Sequence, residues 1–210
     1  MSTRLQWLGH ASFKIFHEDK VIYVDPWQLE ESPQDAAIVL VSHSHYDHYS
    51  TKDIAKVSSP ETKLISTSDV LAQEKTGESL LPGSSVEVKG IVIKAVPAYN
   101  PKKQFHPKTN NWIGFIIELG NKRIYYAGDT DVIEEMKTLG QIDLALLPVG
   151  GTYTMDAKEA AEAVTYIKPG TTIPYHWGEI VGQRSDAENF ARFADCAVTV
   201  LSPGEKFHLD

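Results

Sequence analysis

The sequence has a single cysteine, Cys196, in 210 residues, so no internal disulfide can form and stability must come from an apolar core. Its setting, Phe193-Ala194-Asp195-Cys196-Ala197-Val198, reads as a small buried residue at a helix-to-strand junction, not as a nucleophile. No segment approaches the roughly 20 apolar residues that a spanning helix needs, so membrane insertion is not expected. The opening Met1-Ser2-Thr3-Arg4-Leu5-Gln6-Trp7 lacks the apolar core of a secretory signal, and the expected location is the cytoplasm. Excess positive charge is missing too. A net charge of −8 argues against nucleic acid as a partner, with Lys102, Lys103 and Lys108 as a local basic exception. Apolar residues are not scarce, at 42%, and charged residues make up 23%, which excludes disorder. No repeat or linker is visible, and residues 1–210 read as one domain, large enough to bury about 70% of its unfolded surface.

What the sequence does have is a dense cluster of metal-ligand types. His43, His45, Asp47 and His48 fall within six residues, in Val41-Ser42-His43-Ser44-His45-Tyr46-Asp47-His48. Imidazole and carboxylate are good partners for zinc-like ions. The unbroken apolar run Ala36-Ala37-Ile38-Val39-Leu40-Val41 reads as a buried strand, so the ligand types leave the end of a rigid core element. With a period of two, His43 and His45 point the same way, and Asp47 and His48 can face a second ion.

Strands are predicted over 5–8, 12–17, 21–25, 36–41, 63–66, 85–89, 91–96, 112–119, 123–126, 143–148, 171–174, 197–201 and 206–209. Helices are predicted from Ser50 or Thr51 through Val57, from Ser68 to Gly77, near 132–138, over 157–167 after Asp156, and near 187–194. Strands dominate the first half and helices become more frequent in the second, which fits two packed sheets covered by helices. The connection 99–111 lacks apolar periodicity, and a loop that long is more often functional than idle.

The cluster resembles the H-x-H-x-D-H signature of the metallo-β-lactamase superfamily. The likeness continues in Ile124-Tyr125-Tyr126-Ala127-Gly128-Asp129-Thr130, in Ile173-Pro174-Tyr175-His176-Trp177-Gly178, in Trp7-Leu8-Gly9-His10-Ala11-Ser12-Phe13 and in Val24-Asp25-Pro26-Trp27. These last two match the opening hairpin of a compact metal-dependent hydrolase branch, which includes an ascorbate-6-phosphate lactonase and phospholipid-type phosphodiesterases. The resemblance implies an α/β fold, the four-layer αββα sandwich. It also implies a binuclear site of His43, His45, Asp47, His48, a bridging Asp129 and His176. One position departs from the pattern: Asn100 stands where many relatives carry a histidine, and amide oxygen is a poor zinc ligand. His106 could swing over the site, or His10 could enter from the other side, either as a ligand or to orient one.

The resemblance further implies two divalent ions, zinc by ligand type, with manganese, nickel or iron as alternatives. They would activate a water against an ester, lactone or phosphodiester of a small molecule. Asp47 would be both ligand and catalytic acceptor. The substrate could be anionic, held by Lys103 with Lys102 and Lys108, while Tyr99, Trp112, Tyr153 and Trp177 wall the pocket. The competing reading is a non-catalytic or single-metal binding protein, either a metal sensor or store, or a pseudoenzyme.

Overall fold

The computed structural model describes residues 3–209. One seven-stranded sheet comprises β1 (Thr3–Gly9), β2 (Ser12–His17), β3 (Lys20–Val24), β4 (Ile38–Leu40), β5 (Lys63–Ser66), β6 (Glu78–Ser79) and β14 (Lys206–Leu209). The other comprises β7 (Ser85–Val88), β8 (Ile91–Pro97), β9 (Ile113–Leu119), β10 (Lys122–Tyr126), β11 (Leu144–Pro148), β12 (Thr171–Tyr175) and β13 (Ala197–Val198). Spatial order is β14-β1-β2-β3-β4-β5-β6 in the first sheet and β13-β12-β11-β10-β9-β8-β7 in the second. The helices are α1 (Thr51–Val57), α2 (Ser68–Glu74), α3 (Ala157–Ile167) and α4 (Arg184–Phe193). This is the αββα sandwich.

Side-chain alternation explains the layers. In β3 and β4, Ile22, Val24, Ile38 and Leu40 enter the core between the sheets. Their neighbours Tyr23, Val39 and Val41 turn to the opposite face and pack with Ile54 and Val57 of α1 and Val70 of α2. Across the sandwich, the Phe13 ring meets Tyr126 and Tyr175 edge-on, at 6.1 and 5.6 Å between centroids. Helix α3 buries Ala160, Ala163, Val164 and Ile167, the stripe expected of an amphipathic helix. Its start is fixed by a reciprocal cap: Asp156 accepts from the Lys158 and Glu159 amides, and Glu159 accepts from the Asp156 amide.

Some elements differ from expectation. The helix predicted near 132–138 is a short 3₁₀ turn, Glu134–Thr138. Met136 within it and the flanking Ile133 and Leu139 are buried and recur every third position, which matches three residues per turn better than 3.6. The strand predicted over 197–201 is only Ala197–Val198, and β6 pairs through two residues that carry no apolar signal. Cys196 is half-buried beside Thr172, at a sheet edge and not in the core. Among the described residues, no helix is long and apolar enough to cross a membrane.

Candidate metal centre

The ligand types reach one edge of the sandwich because each follows a strand that ends there. The 43–48 segment leaves β4, Asp129 follows β10, His176 follows β12, His10 follows β1, and His106 lies on the loop after β8. Three of the turns are made by non-glycine residues in the left-handed region, His10 (φ 45°), Asp25 (φ 44°) and His176 (φ 62°). Such conformations are costly for side chains with a Cβ and concentrate at functional sites. Gly128 also has positive φ, and a Cβ there would sit 2.9 Å from the Ile113 carbonyl oxygen. Only glycine therefore lets Asp129 approach from β10.

Among the described residues three groups of side chains bring their ligand atoms within 4.8 Å of one another; Asp25 with His43 and His48 is one, and two more meet around Asp129. Of these two, one is His43, His45 and His106; the other is His10, Asp47, His48 and His176. Asp129 lies between them. One of its oxygens is 3.1 Å from His106 Nε2 and 3.2 Å from His176 Nε2, and the other is 3.2 Å from His48 Nε2. Three of the buried atoms aimed inward, His106 Nε2, His48 Nε2 and His176 Nε2, have no hydrogen-bond partner, nor has Asp129 Oδ1. Convergent unpartnered nitrogen and oxygen donors suit a divalent cation, so the residues present fit the metals implied by the sequence.

Neighbouring groups decide which ring nitrogen faces inward. Asn100 Oδ1 accepts from the His106 backbone amide at 3.0 Å, which fixes the orientation of the Asn100 side chain. The same oxygen lies 2.7 Å from His106 Nδ1. Nδ1 must therefore carry the proton, leaving Nε2 as a lone pair. The Asn100 amide nitrogen donates in turn to the Tyr153 carbonyl at 3.1 Å.

Asp25 does the same on the other side. It accepts from the Ser42 amide (2.7 Å), Ser42 Oγ (2.5 Å), His48 Nδ1 (2.6 Å) and Tyr126 hydroxyl (2.5 Å). With its proton given to Asp25, Ser42 Oγ can only accept from His43 Nδ1, 2.9 Å away. His43 and His48 thus both present Nε2. Trp112 packs its ring on His43 and His45, at 4.8 and 4.6 Å, and is held by a 2.9 Å bond from Nε1 to Asp69.

The electrostatics separate the histidines into two sets. Burial pushes His43 well below the ordinary imidazole value, and the nearby His48 adds to this. Burial likewise lowers His45 and His10, the hydrogen bond to Asp47 opposing it in His10. Burial also opposes charge on His48 and His176, but the Asp129 carboxylate more than offsets it and both are raised. For Asp129 burial disfavours the anion, yet His176 and His48 hold its carboxyl well below the usual range. Asp47 behaves similarly: burial is outweighed by the hydrogen bond from His10 and by the nearby His176 and His48. Without metal, the raised His48 and His176 thus favour the positive charge that offsets the two buried carboxylates.

The remaining sequence-nominated residues fall elsewhere. His10 Nε2 bonds Asp47 Oδ2 at 2.9 Å, and its ring lies against His176 at 4.2 Å, so it braces a ligand-type carboxylate. Asn100 is a tether for His106. Lys103 does not face the cavity: its ammonium bonds Asp131 and the Thr154 carbonyl, both at 2.6 Å. Lys108 pairs with Glu135 at 2.8 Å. Trp177 is a core residue, its ring tilted against Trp7 at 4.7 Å, with its Nε1 donating to the Pro174 carbonyl. Sequence reasoning gave Asp25 no role. Its only signal was a carboxylate at a strand end in Val24-Asp25-Pro26-Trp27, which periodicity cannot aim.

A sequence model of the Beta-lactamase superfamily domain matches residues 4–176, and the chain belongs to that superfamily. More narrowly, the chain is 35% identical over 227 residues to a UPF0173 metal-dependent hydrolase of Pyrococcus abyssi, a match spanning 98% of this chain and 99% of the relative. A second UPF0173 metal-dependent hydrolase, from Thermoplasma acidophilum, is 35% identical over 213 residues, 94% of this chain and 93% of its own. The protein is a metal-dependent hydrolase. Among solved structures, a protein assigned as a metal-dependent hydrolase from Parabacteroides distasonis superposes with a TM-score of 0.83 at 29% identity, covering 93% of this chain and 91% of that one. Igni18, a metallo hydrolase of Ignicoccus hospitalis, shares the fold, with a TM-score of 0.84 at 24% identity and coverage of 100% and 99%.

Proposed function

We propose that this protein binds two divalent ions, zinc by ligand type, and hydrolyses an ester, lactone or phosphodiester bond of a small molecule. His43, His45 and His106 would hold one ion, Asp47, His48 and His176 the other, with Asp129 shared. The observation that carries this reading is the place of Asp129, within 3.2 Å of nitrogens from both groups. Nitrogen and carboxylate donors suit zinc, and manganese, nickel or iron accept the same set. When bound, such ions lower the pKa of water to roughly 7 and polarise the bond to be cleaved.

The chain's own groups do the rest. Asp25 and Asn100 fix which ring nitrogen is turned inward, so Nε2 of His43, His48 and His106 is oriented toward the site before any ion arrives. His10 donates to Asp47 Oδ2 and holds the carboxylate as an anion, able to orient the attacking water as a hydrogen-bond acceptor. His106, held on Asn100, supplies the nitrogen that Asn100 itself cannot, which weakens the single-metal alternative. Metal content by emission spectroscopy, an anomalous-scattering map, and turnover on a generic ester, lactone and phosphodiester test the reading together. Two ions per chain with chelator-sensitive turnover support it; one ion and no turnover would favour a sensor, store or pseudoenzyme.

A further inference from the structure

Five large apolar side chains are strongly exposed among the described residues: Tyr46, Leu81, Phe105, Ile180 and Phe193. Three of them, Tyr46 (68% exposed), Phe105 (45%) and Ile180 (48%), border a cavity lined also by His45, Asp47, Asp129 and His176. They come from three separate loops, after β4, β8 and β12. Single exposed apolar residues are ordinary, but convergence at a metal-ligand cluster is not. Tyr153 extends the apolar wall, its ring edge-on to Phe105 at 4.8 Å. The cavity, about 220 Å³, is below the usual range for drug-sized ligands and suits a short arm.

Charge at the mouth points the same way. No lysine or arginine lines the cavity, and its charged lining is two carboxylates with histidines. Lys103 and Lys108, the loop cations nearest in sequence, are committed to Asp131 and Glu135. With the proposed ions offsetting Asp47 and Asp129, the mouth offers an arm the side chains of Tyr46, Phe105, Tyr153 and Ile180 and no lysine or arginine to pair with. Of the bond types named above, a carboxylic ester is the one that joins a neutral reacting group to an open-chain acyl arm of the kind this wall fits.

We propose that the substrate is an uncharged carboxylic ester whose acyl arm is apolar and rests against Tyr46, Phe105 and Ile180. This rests on the hydrolase reading above. Water's oxygen bonds to the carbonyl carbon and the ester C–O bond breaks with its electron pair. The leaving oxygen takes a proton, giving an alcohol and a carboxylate plus a proton.

The test uses the metal-loaded protein and p-nitrophenyl esters from acetate to octanoate, a six-carbon arm ending in carboxylate, and bis(p-nitrophenyl) phosphate. Burial of each methylene predicts that kcat/KM rises roughly three- to fourfold per carbon until the arm outgrows the cavity. The carboxylate-ended arm should be slower than the neutral arm of the same length by about tenfold or more, the methylene gain of two carbons being forfeited. Saturable binding of 1-hexanol, measured calorimetrically with and without metal, reads the apolar mouth independently of turnover. Tyr46→Ser, Phe105→Ser and Ile180→Ser should each flatten the chain-length slope and weaken hexanol binding about threefold or more. Phe193→Ser, equally exposed but elsewhere, should match the wild type in both measurements. Turnover blind to chain length, or faster on the carboxylate arm, together with no hexanol binding, overturns the proposal and leaves the hydrolase reading standing. Hexanol binding that depends on the three residues, without turnover of any ester, overturns the ester reading while the apolar mouth stands.

Discussion

Replacing Asn100 with alanine tests whether His106 is a placed ligand or a bystander. The Asn100 side chain makes three hydrogen bonds in a nearly buried position: two accepted from His106 at 3.0 and 2.7 Å, and one donated to Tyr153 at 3.1 Å. At about 1 kcal/mol each, their loss lowers the stability of the metal-free protein by roughly 3 kcal/mol. The larger consequence is at Nδ1 of His106. Without an acceptor there, the proton is free to move to Nε2 and the ring to turn. Losing such a supporting partner typically costs 10–100-fold in metal affinity, or about 1.4–2.7 kcal/mol. A chromophoric-chelator competition should resolve this as one weakened step, the ion beside His43 and His45, with the second step nearly unchanged. Asn100→Asp separates positioning from damage: it keeps an oxygen acceptor for His106 Nδ1 but turns an oxygen toward the Tyr153 carbonyl. It should lose stability and keep metal affinity. Equal loss of affinity in both variants, or none in the alanine variant, would refute the tether.

Asp129→Ala should cost more than His106→Ala in both metal content and turnover, beyond about 100-fold, because one carboxylate faces both ligand groups; emission spectroscopy and kinetics on the two variants check this, and equal losses would contradict a shared role. Asp25→Ala strands the donors of Ser42, His48 and Tyr126, and should lower stability by about 3 kcal/mol or more in urea unfolding with chelator present. Metal binding should tighten as pH rises from 6 to 8. The sign follows from His48 and His176, whose raised values favour the protonated form in the metal-free protein, so an ion must compete with protons there. His43, His45 and His10 are lowered, are already neutral near pH 7, and add nothing to the effect. Calorimetry in buffers of different ionisation enthalpy counts the protons released; an affinity independent of pH would count against this charge assignment.

Ligand-type density, periodicity and capping made much of this protein legible in one dimension. The run before His43 had to be a buried strand, because its odd and even residues are both apolar, and β4 indeed sends them to opposite faces. Asp156 with Glu159 three residues later announced the start of α3. His43, His45, Asp47 and His48 are close in space largely because they are close in sequence. The choice among His10, Asn100 and His106 was not legible. It depends on how the 99–111 loop folds back so that Asn100 captures the His106 backbone amide and Nδ1, and no local pattern encodes that closure. Asp25, Lys103, Trp177 and the apolar mouth share this limit. Sequence spacing gives the type of a side chain, whereas its direction at a strand end depends on one backbone angle and on partners as distant as Tyr126 for Asp25. Sequence alone therefore determined most of the fold's elements and the kind of chemistry, though not β6 or the 3₁₀ turn at Glu134–Thr138. Only the tertiary structure decided which nitrogen faces the site, which lysines are already paired and what surrounds the entrance, because each is set by contacts between segments the chain holds far apart.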